Sequence, residues 1–283
     1  MIQKKKERKT TNTDLLNSEN NHLSIQFSLD GFSFCVLNKD ENVFIDLHDY
    51  FFKEINNTPE KLLTNITSVF KEESLLQKKY NSVNVSHVSD LATIVPKPLF
   101  DENKLRDYIK YNNKVFAFDY IVYDEIKNHD IINVFIPYVN INNYLLDQFG
   151  GFEYKHFSSL LIENLMGIYK YSLVPHMFVH VQSNHCELIV IANKKLQLYN
   201  TFKITAKEDF IYYILFTAEQ LKINPEKFEL ILLGAIEKDD ELFKIAYKYV
   251  RNVKLLENRS KYTFDEMFSE NDKREYFTIF NQY

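Results

Sequence analysis

His176, His180, His185 and Cys186 stand close together in the sequence, and these are the residue types that hold metal ions. Their spacing argues against a shared ion. On a strand, residues four apart share a face but lie roughly 13 Å apart, too far for one ion with bonds of about 2 Å. His185 and Cys186, as neighbours on a strand, point to opposite faces. Nucleophilic catalysis has no better support: no Gly-x-Ser-x-Gly occurs, and nothing in the spacing ties Cys35 to a histidine. With five glycines, at 31, 150, 151, 167 and 234, there is neither a Walker A loop nor a dinucleotide fingerprint. The acidic pairs Glu72-Glu73 and Asp239-Asp240 are expected on solvated faces or caps. Tyr212, Tyr213, Phe216, Tyr247 and Tyr249 fall at helical spacing, which predicts core packing more readily than a stacking platform.

The elements that must position these residues begin with Leu23–Leu37, LSIQFSLDGFSFCVL. Leu23, Ile25 and Phe27 alternate with polar residues, Asp30-Gly31 supplies a turn through its tolerance of positive φ, and the chain returns through Phe32, Phe34 and Val36. Asp30 is expected at the tip of a buried hairpin and Ser33 on a solvent-facing strand position. The pattern recurs 154 positions later, where Ile25, Phe27, Phe34, Val36 and Leu37 correspond to Val179, Val181, Leu188, Val190 and Ile191. This suggests an internal duplication. A third strand, Val43–Leu47, completes the first meander. A helix opens at Thr58-Pro59 with Leu62, Leu63, Ile66, Val69 and Phe70 inward, and a strand spans Asn81–Val88. The prolines make Ile94–Phe100 irregular. Asp101 caps a short helix, strands Val115–Tyr123 and Ile131–Pro137 pair, and a helix from Asn140 ends at Gly150-Gly151.

After that boundary come a strand at Phe152–Phe157, a helix at Ser159–Lys170 and a second meander, Met177–Gln182, Glu187–Ile191 and Leu196–Phe202. Thr205-Ala206-Lys207-Glu208 reads as a capping box for a helix with Phe210, Ile211, Ile214, Leu215, Ala218 and Leu221 on one face. Phe228–Leu233 is apolar enough to lie inside a sheet, and Gly234 breaks it. A helix through Leu242, Phe243, Ala246, Tyr249 and Val250 precedes strand Asn252–Leu255. The organisation expected is a disordered tail at 1–21, lobes at 22–151 and 152–257, and a charged segment at 258–283 with an apolar end near Phe277–Phe280. Each lobe is a meander followed by helices and strands, giving an α/β protein with mixed sheets.

An apolar share of 45% beside 26% charge is that of a globular chain and excludes wholesale disorder. Lys4, Lys5, Lys6, Arg8 and Lys9 against Glu7 give the start +4, which leaves −9 on the rest of a chain whose total is −5. An acidic body repels phosphates, so nucleic acid is not an expected partner. No apolar run approaches the ~20 residues of a membrane span, and a cytoplasmic location is expected. Cys35 and Cys186 fit buried, reduced thiols.

Four segments in order carry a resemblance: LSIQFSLDGFSFCVL; IVPKPLF; KLQLYNTFKI with EDFIYYILFTAEQL; and LLGAI leading to YKYVRNV. Over residues 22 to about 255 the chain resembles a family of bacterial proteins of unknown function with an actin-like ATPase fold, distantly related to pilus-assembly actin-like proteins. The resemblance implies a duplicated, two-lobed, ribonuclease H-like architecture with a cleft between lobes. In that superfamily two glycine-bearing hairpins hold the phosphates and aspartates place Mg²⁺. Asp30, Gly31 and Ser33 look like the phosphate-contacting residues of the first hairpin, and Gly234 like the remnant of the adenosine-contacting turn. The second hairpin has Asn184-His185-Cys186 where Asp and Gly would be needed. The resemblance thus leaves ATP as the one cofactor to test, with none expected. The reading is a non-catalytic actin-like protein that binds another protein through its lobes or groove, the alternative being a nucleotide-binding protein or slow ATPase.

Overall fold

A strand, not a tail, occupies Ile2–Lys9. In a computed structural model that describes residues 2–53 and 58–283, β1 (Ile2–Lys9) is followed by α1 (Thr13–Leu16), then by β2 (Asn21–Ser28), β3 (Gly31–Asn38) and β4 (Val43–Phe52) as the expected antiparallel meander. β1 lies antiparallel along the outer edge of β4, from Ile2 opposite Phe52 to Lys9 opposite Asp46. The disordered tail expected over 1–21 is therefore corrected. An edge strand with basic side chains turned to solvent carries no period-2 apolar signal, yet charge is what suits an edge. Here it is also paired: Lys4 Nζ lies 2.7 Å from Glu73 and Lys5 Nζ 3.6 Å from Asp49.

α2 (Pro59–Glu72) starts as its sequence requires, with the Lys61 amide donating to Thr58 Oγ1 and Pro59 first in the helix. It buries Leu62, Ile66, Val69 and Phe70 against the meander. β5 (Ser82–His87) runs parallel to β2. β6 (Ala92–Pro96) is a strand, which corrects the irregular stretch expected at Ile94–Phe100. Pro96 is its last residue and β6 is an edge of its sheet, where a missing amide is tolerated. After α3 (Leu105–Ile109), β7 (Val122–Ile126) pairs with β8 (Ile131–Phe135), which forms the middle of a small three-stranded sheet. The strand expected from Val115 is shorter and later. The loop before it satisfies its own carbonyls through Arg106, which donates to those of Phe116 (2.7 Å), Ala117 (3.2 Å) and Asp119 (3.4 Å). α4 (Val139–Phe149) ends at Gly150, whose φ of +78° suits the stop. β9 (Glu153–His156) then extends the main sheet parallel to β5.

α5 (Phe157–Ile168) leads into β10 (His176–Val181), β11 (His185–Ala192) and β12 (Lys195–Lys203), the second meander. α6 (Lys207–Gln220) is capped one residue later than expected: Asp209, not Glu208, reaches back, accepting from the amides of Thr205 (2.9 Å) and Ala206 (3.0 Å). β13 (Glu229–Gly234) lies inside the sheet between β10 and β14 (Asn252–Leu255), with α7 (Glu241–Tyr249) between them in sequence. A core of Val179, Leu188, Phe210, Ile214, Leu230 and Leu232 fills this half.

The C-terminal segment is not a separate part. β15 (Thr263–Phe264) pairs with β4 beyond the end of β1, α8 (Glu270–Glu275) follows, and Phe280 packs edge-on to Phe44 and Phe264. Two compact units result: Met1–Leu161 with Ser260–Phe268 and Thr278–Tyr283, and Ile162–Arg259 with Ser269–Phe277. The boundary falls ten residues after Gly151, inside α5, because Phe157–Leu161 pack with the first unit.

The duplication is visible in the registers. One sheet contains the order β4-β3-β2-β5-β9 and the other β12-β11-β10-β13-β14. Leu23 opposes Val36, Ile25 opposes Phe34 and Phe27 opposes Phe32; 154 positions later Met177 opposes Val190, Val179 opposes Leu188 and Val181 opposes Cys186. A slip of one residue would turn every side chain to the wrong face, so this agreement is a strong constraint.

Candidate functional site

The first hairpin turns through two residues, Leu29 and Asp30, with Ser28 opposite Gly31. Asp30 accepts from Ser28 Oγ at 2.6 Å, and its carbonyl accepts from the Phe52 amide at 2.8 Å. Gly31 does not adopt positive φ, which corrects the turn geometry expected for Asp30-Gly31; the described glycines in that region are Gly150 and Gly234. Close approach explains Gly31 instead, since a Cβ there would stand 3.1 Å from the Tyr50 carbonyl oxygen. Ser33 is buried, not solvent-facing. It lies opposite Asp49 in register and donates to Asp49 Oδ1 at 2.7 Å. The hydroxyl that the superfamily would turn to phosphate is engaged inside its own sheet. Replacing it, Ser33→Ala, is expected to cost about 1–3 kcal/mol, the range for a hydrogen bond to a buried charged acceptor, measured by urea unfolding.

At the second hairpin the tip is residues 182–184, closed by the Gln182 amide donating to the His185 carbonyl at 2.9 Å. Beneath it Glu187, only 3% exposed, lies between two imidazoles. His180 Nδ1 is 2.7 Å from one carboxylate oxygen and His185 Nε2 is 3.1 Å from the other. Burial pushes this carboxyl up, but the hydrogen bonds and attraction from both rings outweigh it and hold the group down at about 2. His185 Nδ1 also meets Asn184 Oδ1 at 2.7 Å. Cys186 points the other way into the core, where burial pushes its thiol up to about 12. His176 has separate partners, Ser172 Oγ at 2.6 Å and Glu229 at 3.2 Å. The three histidines therefore serve two carboxylates on one sheet.

Gly234 closes β13 opposite Val181, the last residue of β10. Its φ is +86°, and an added Cβ would lie 2.8 Å from the Val181 nitrogen and closer still to its carbonyl oxygen. The Ala235 amide donates to that same oxygen at 2.8 Å. The turn is built against the neighbouring strand, so glycine is required by backbone packing alone.

Sequence reasoning missed three groups. Glu187 is the single acid of β11, directly opposite His180; an acid among apolar residues with a histidine at the paired position was the available signal. Glu73 was expected to be solvated but takes Lys4 and the Tyr50 hydroxyl. Asp46 and His48, both buried in β4, lie 2.6 Å apart. The aromatic expectation is also corrected: Tyr212 and Phe216 are 57% and 42% exposed, since the sheet side of α6 is already filled by Phe210, Ile211 and Ile214, and Tyr247 and Tyr249 of α7 are 66% and 50% exposed.

Two sheets of the same order and register, each a meander continued by two parallel strands, define the actin-like class of fold. A protein with actin-like ATPase fold and unknown function from Bacteroides thetaiotaomicron VPI-5482 superposes with TM-score 0.76 at 25% identity, over 86% of this chain and 93% of that one. A chain of the PilM–PilN type IV pilus biogenesis complex superposes with TM-score 0.60 at 9% identity, over 94% and 97%, a likeness of fold. Residues 10–253 match the model of the family described as protein of unknown function DUF3822, and the chain belongs to that family. No curated protein matches. Among the described residues, no helix is long and apolar enough to cross a membrane.

Proposed function

We propose that this chain is a non-catalytic actin-like protein that works by binding another protein. The observation that carries this reading is the His180–Glu187–His185 bridge beneath the second hairpin. Gripping a triphosphate takes backbone amides turned to the phosphates and a carboxylate open to Mg²⁺. Here the carboxylate beneath the tip is buried and held by two rings, and Asn184 and His185 stand where Asp and Gly would be needed. Ser33, engaged by Asp49, adds to the argument from the first hairpin. The fold likeness to a chain of a pilus biogenesis complex gives a protein-binding role a precedent in this architecture.

A second reading, a nucleotide-binding protein or slow ATPase, is favoured by one observation: Asp30 is retained at its hairpin and is half-buried, within reach of solvent. Thermal unfolding with and without millimolar Mg-ATP separates the two. A ligand at a hundred times its Kd stabilises by about 2.7 kcal/mol, which raises Tm by roughly 4–5 °C for a protein of this size. The proposal expects no shift of that order. A shift of several degrees that Asp30→Ala removes would establish the second reading.

A further inference from the structure

The two sheets share an order but differ at one edge. β4, third strand of the first meander, is covered by β1 over Asp46–Phe52 and by β15 at Val43 and Phe44. Its counterpart β12 is outermost in its sheet, with no strand beyond it among the described residues. A long open edge is a template for pairing, and proteins blunt it with proline, charged side chains (lysine above all) or short length; β12 carries lysine only at its two ends. β12 runs nine residues with one register irregularity near its start, and between its terminal lysines it reads Leu-Gln-Leu-Tyr-Asn-Thr-Phe.

Beside this edge lies a ladder of rings. Phe202 of β12 stacks on Tyr213 at 4.3 Å, Tyr213 meets Tyr212 at 5.5 Å, and Tyr212 stacks on Phe216 at 5.6 Å. Strand addition needs these two components, main-chain groups for the ladder and apolar surface for alternate side chains.

We propose that the edge of β12, with Tyr212, Tyr213 and Phe216, is a docking site for an extended acidic segment of a partner protein, added antiparallel as β1 is to β4. Charge selects the occupant. On the first sheet a basic strand covers an edge bearing Asp46 and Asp49, with Lys5 paired to Asp49. On the second the signs reverse, because exposed Lys195 and Lys203 stand at the two ends of β12 and Lys194 precedes it. A second copy pairing about a twofold centred on Tyr199 would set Lys195 against Lys203 at both ends, and like charges directly opposed are unfavourable. Acidic residues there are favourable instead.

This inference rests on the protein-binding reading but involves none of the groups that the Mg-ATP test probes, so the two fail separately. The probes are fluorescein-labelled nine-residue peptides of alternating glutamate and valine or lysine and valine, titrated into the full chain and read by anisotropy. The glutamate peptide is expected to bind at least tenfold more tightly, to slow amide hydrogen exchange along β12, and to lose its advantage in Lys195→Glu/Lys203→Glu. Equal affinity for the two peptides, no binding, or unchanged exchange on β12 in the unmodified protein would overturn the proposal. So would a dimer in sedimentation that buries β12.

Discussion

Gly234→Ala is expected to destabilise the protein by roughly 3 kcal/mol or more, the range in which single substitutions are exceptional. Two effects add. The residue would have to hold φ near +86°, a region that side chains rarely adopt, and its Cβ would press on the backbone of Val181. Val181 cannot retreat, because β10 is bonded on one side to β11 and on the other to β13. The contrast with Gly31→Ala makes the test specific. There φ is not positive and the nearest backbone atom is 3.1 Å away, so a small shift of the Tyr50 carbonyl accommodates the methyl, at a cost of about 1 kcal/mol or less. Urea unfolding of both variants should show the large loss for position 234 alone. The result bears on function as well. A glycine whose replacement wrecks the sheet is accounted for by packing, and it cannot by itself be counted as evidence for an adenosine site.

The second large effect is acid sensitivity centred on Glu187. Its carboxyl is held at about 2 in the folded protein against an ordinary value of 4.5. Between those values the unfolded chain binds more protons, so stability from this group is fully present above pH 4.5 and is lost as pH falls toward 2. Because the folded and unfolded values lie this far apart, the contribution is about 3 kcal/mol. Glu187→Gln should therefore flatten the fall in Tm between pH 4.5 and pH 2. Glu187→Ala, which removes the carboxylate shared by His180 and His185, should cost about 1–3 kcal/mol at neutral pH, the range for leaving a buried hydrogen-bonding group unsatisfied. If the glutamine variant keeps the full acid dependence, the two-histidine bridge is not what stabilises this hairpin.

Much of the architecture was legible because apolar alternation survives duplication. The pairs at Ile25 and Phe34 and at Val179 and Leu188 recur at one offset, and both hairpins formed in that register. α2 was legible from Thr58-Pro59, and β13 from an apolar run with no wet face. β1 was not, because IQKKKERK has no alternation; it is held by the edge of β4 and by ion pairs to Asp49 and Glu73, which are distant in sequence. The C-terminal segment failed for a similar reason. Its β15 is two residues long, and its anchoring depends on Phe280 finding Phe44 across the whole chain. At the candidate site the residue types were readable but their engagements were not. Ser33 to Asp49 and His180 to Glu187 are cross-strand contacts, fixed by register and not by neighbouring sequence.

Crystals grown with Mg-ATP test the central claim most directly. The account predicts His180, Glu187 and His185 in their present contacts and no nucleotide beside the second hairpin. A metal-bound triphosphate next to Asn184, with the Glu187 bridge broken to admit it, would contradict the account.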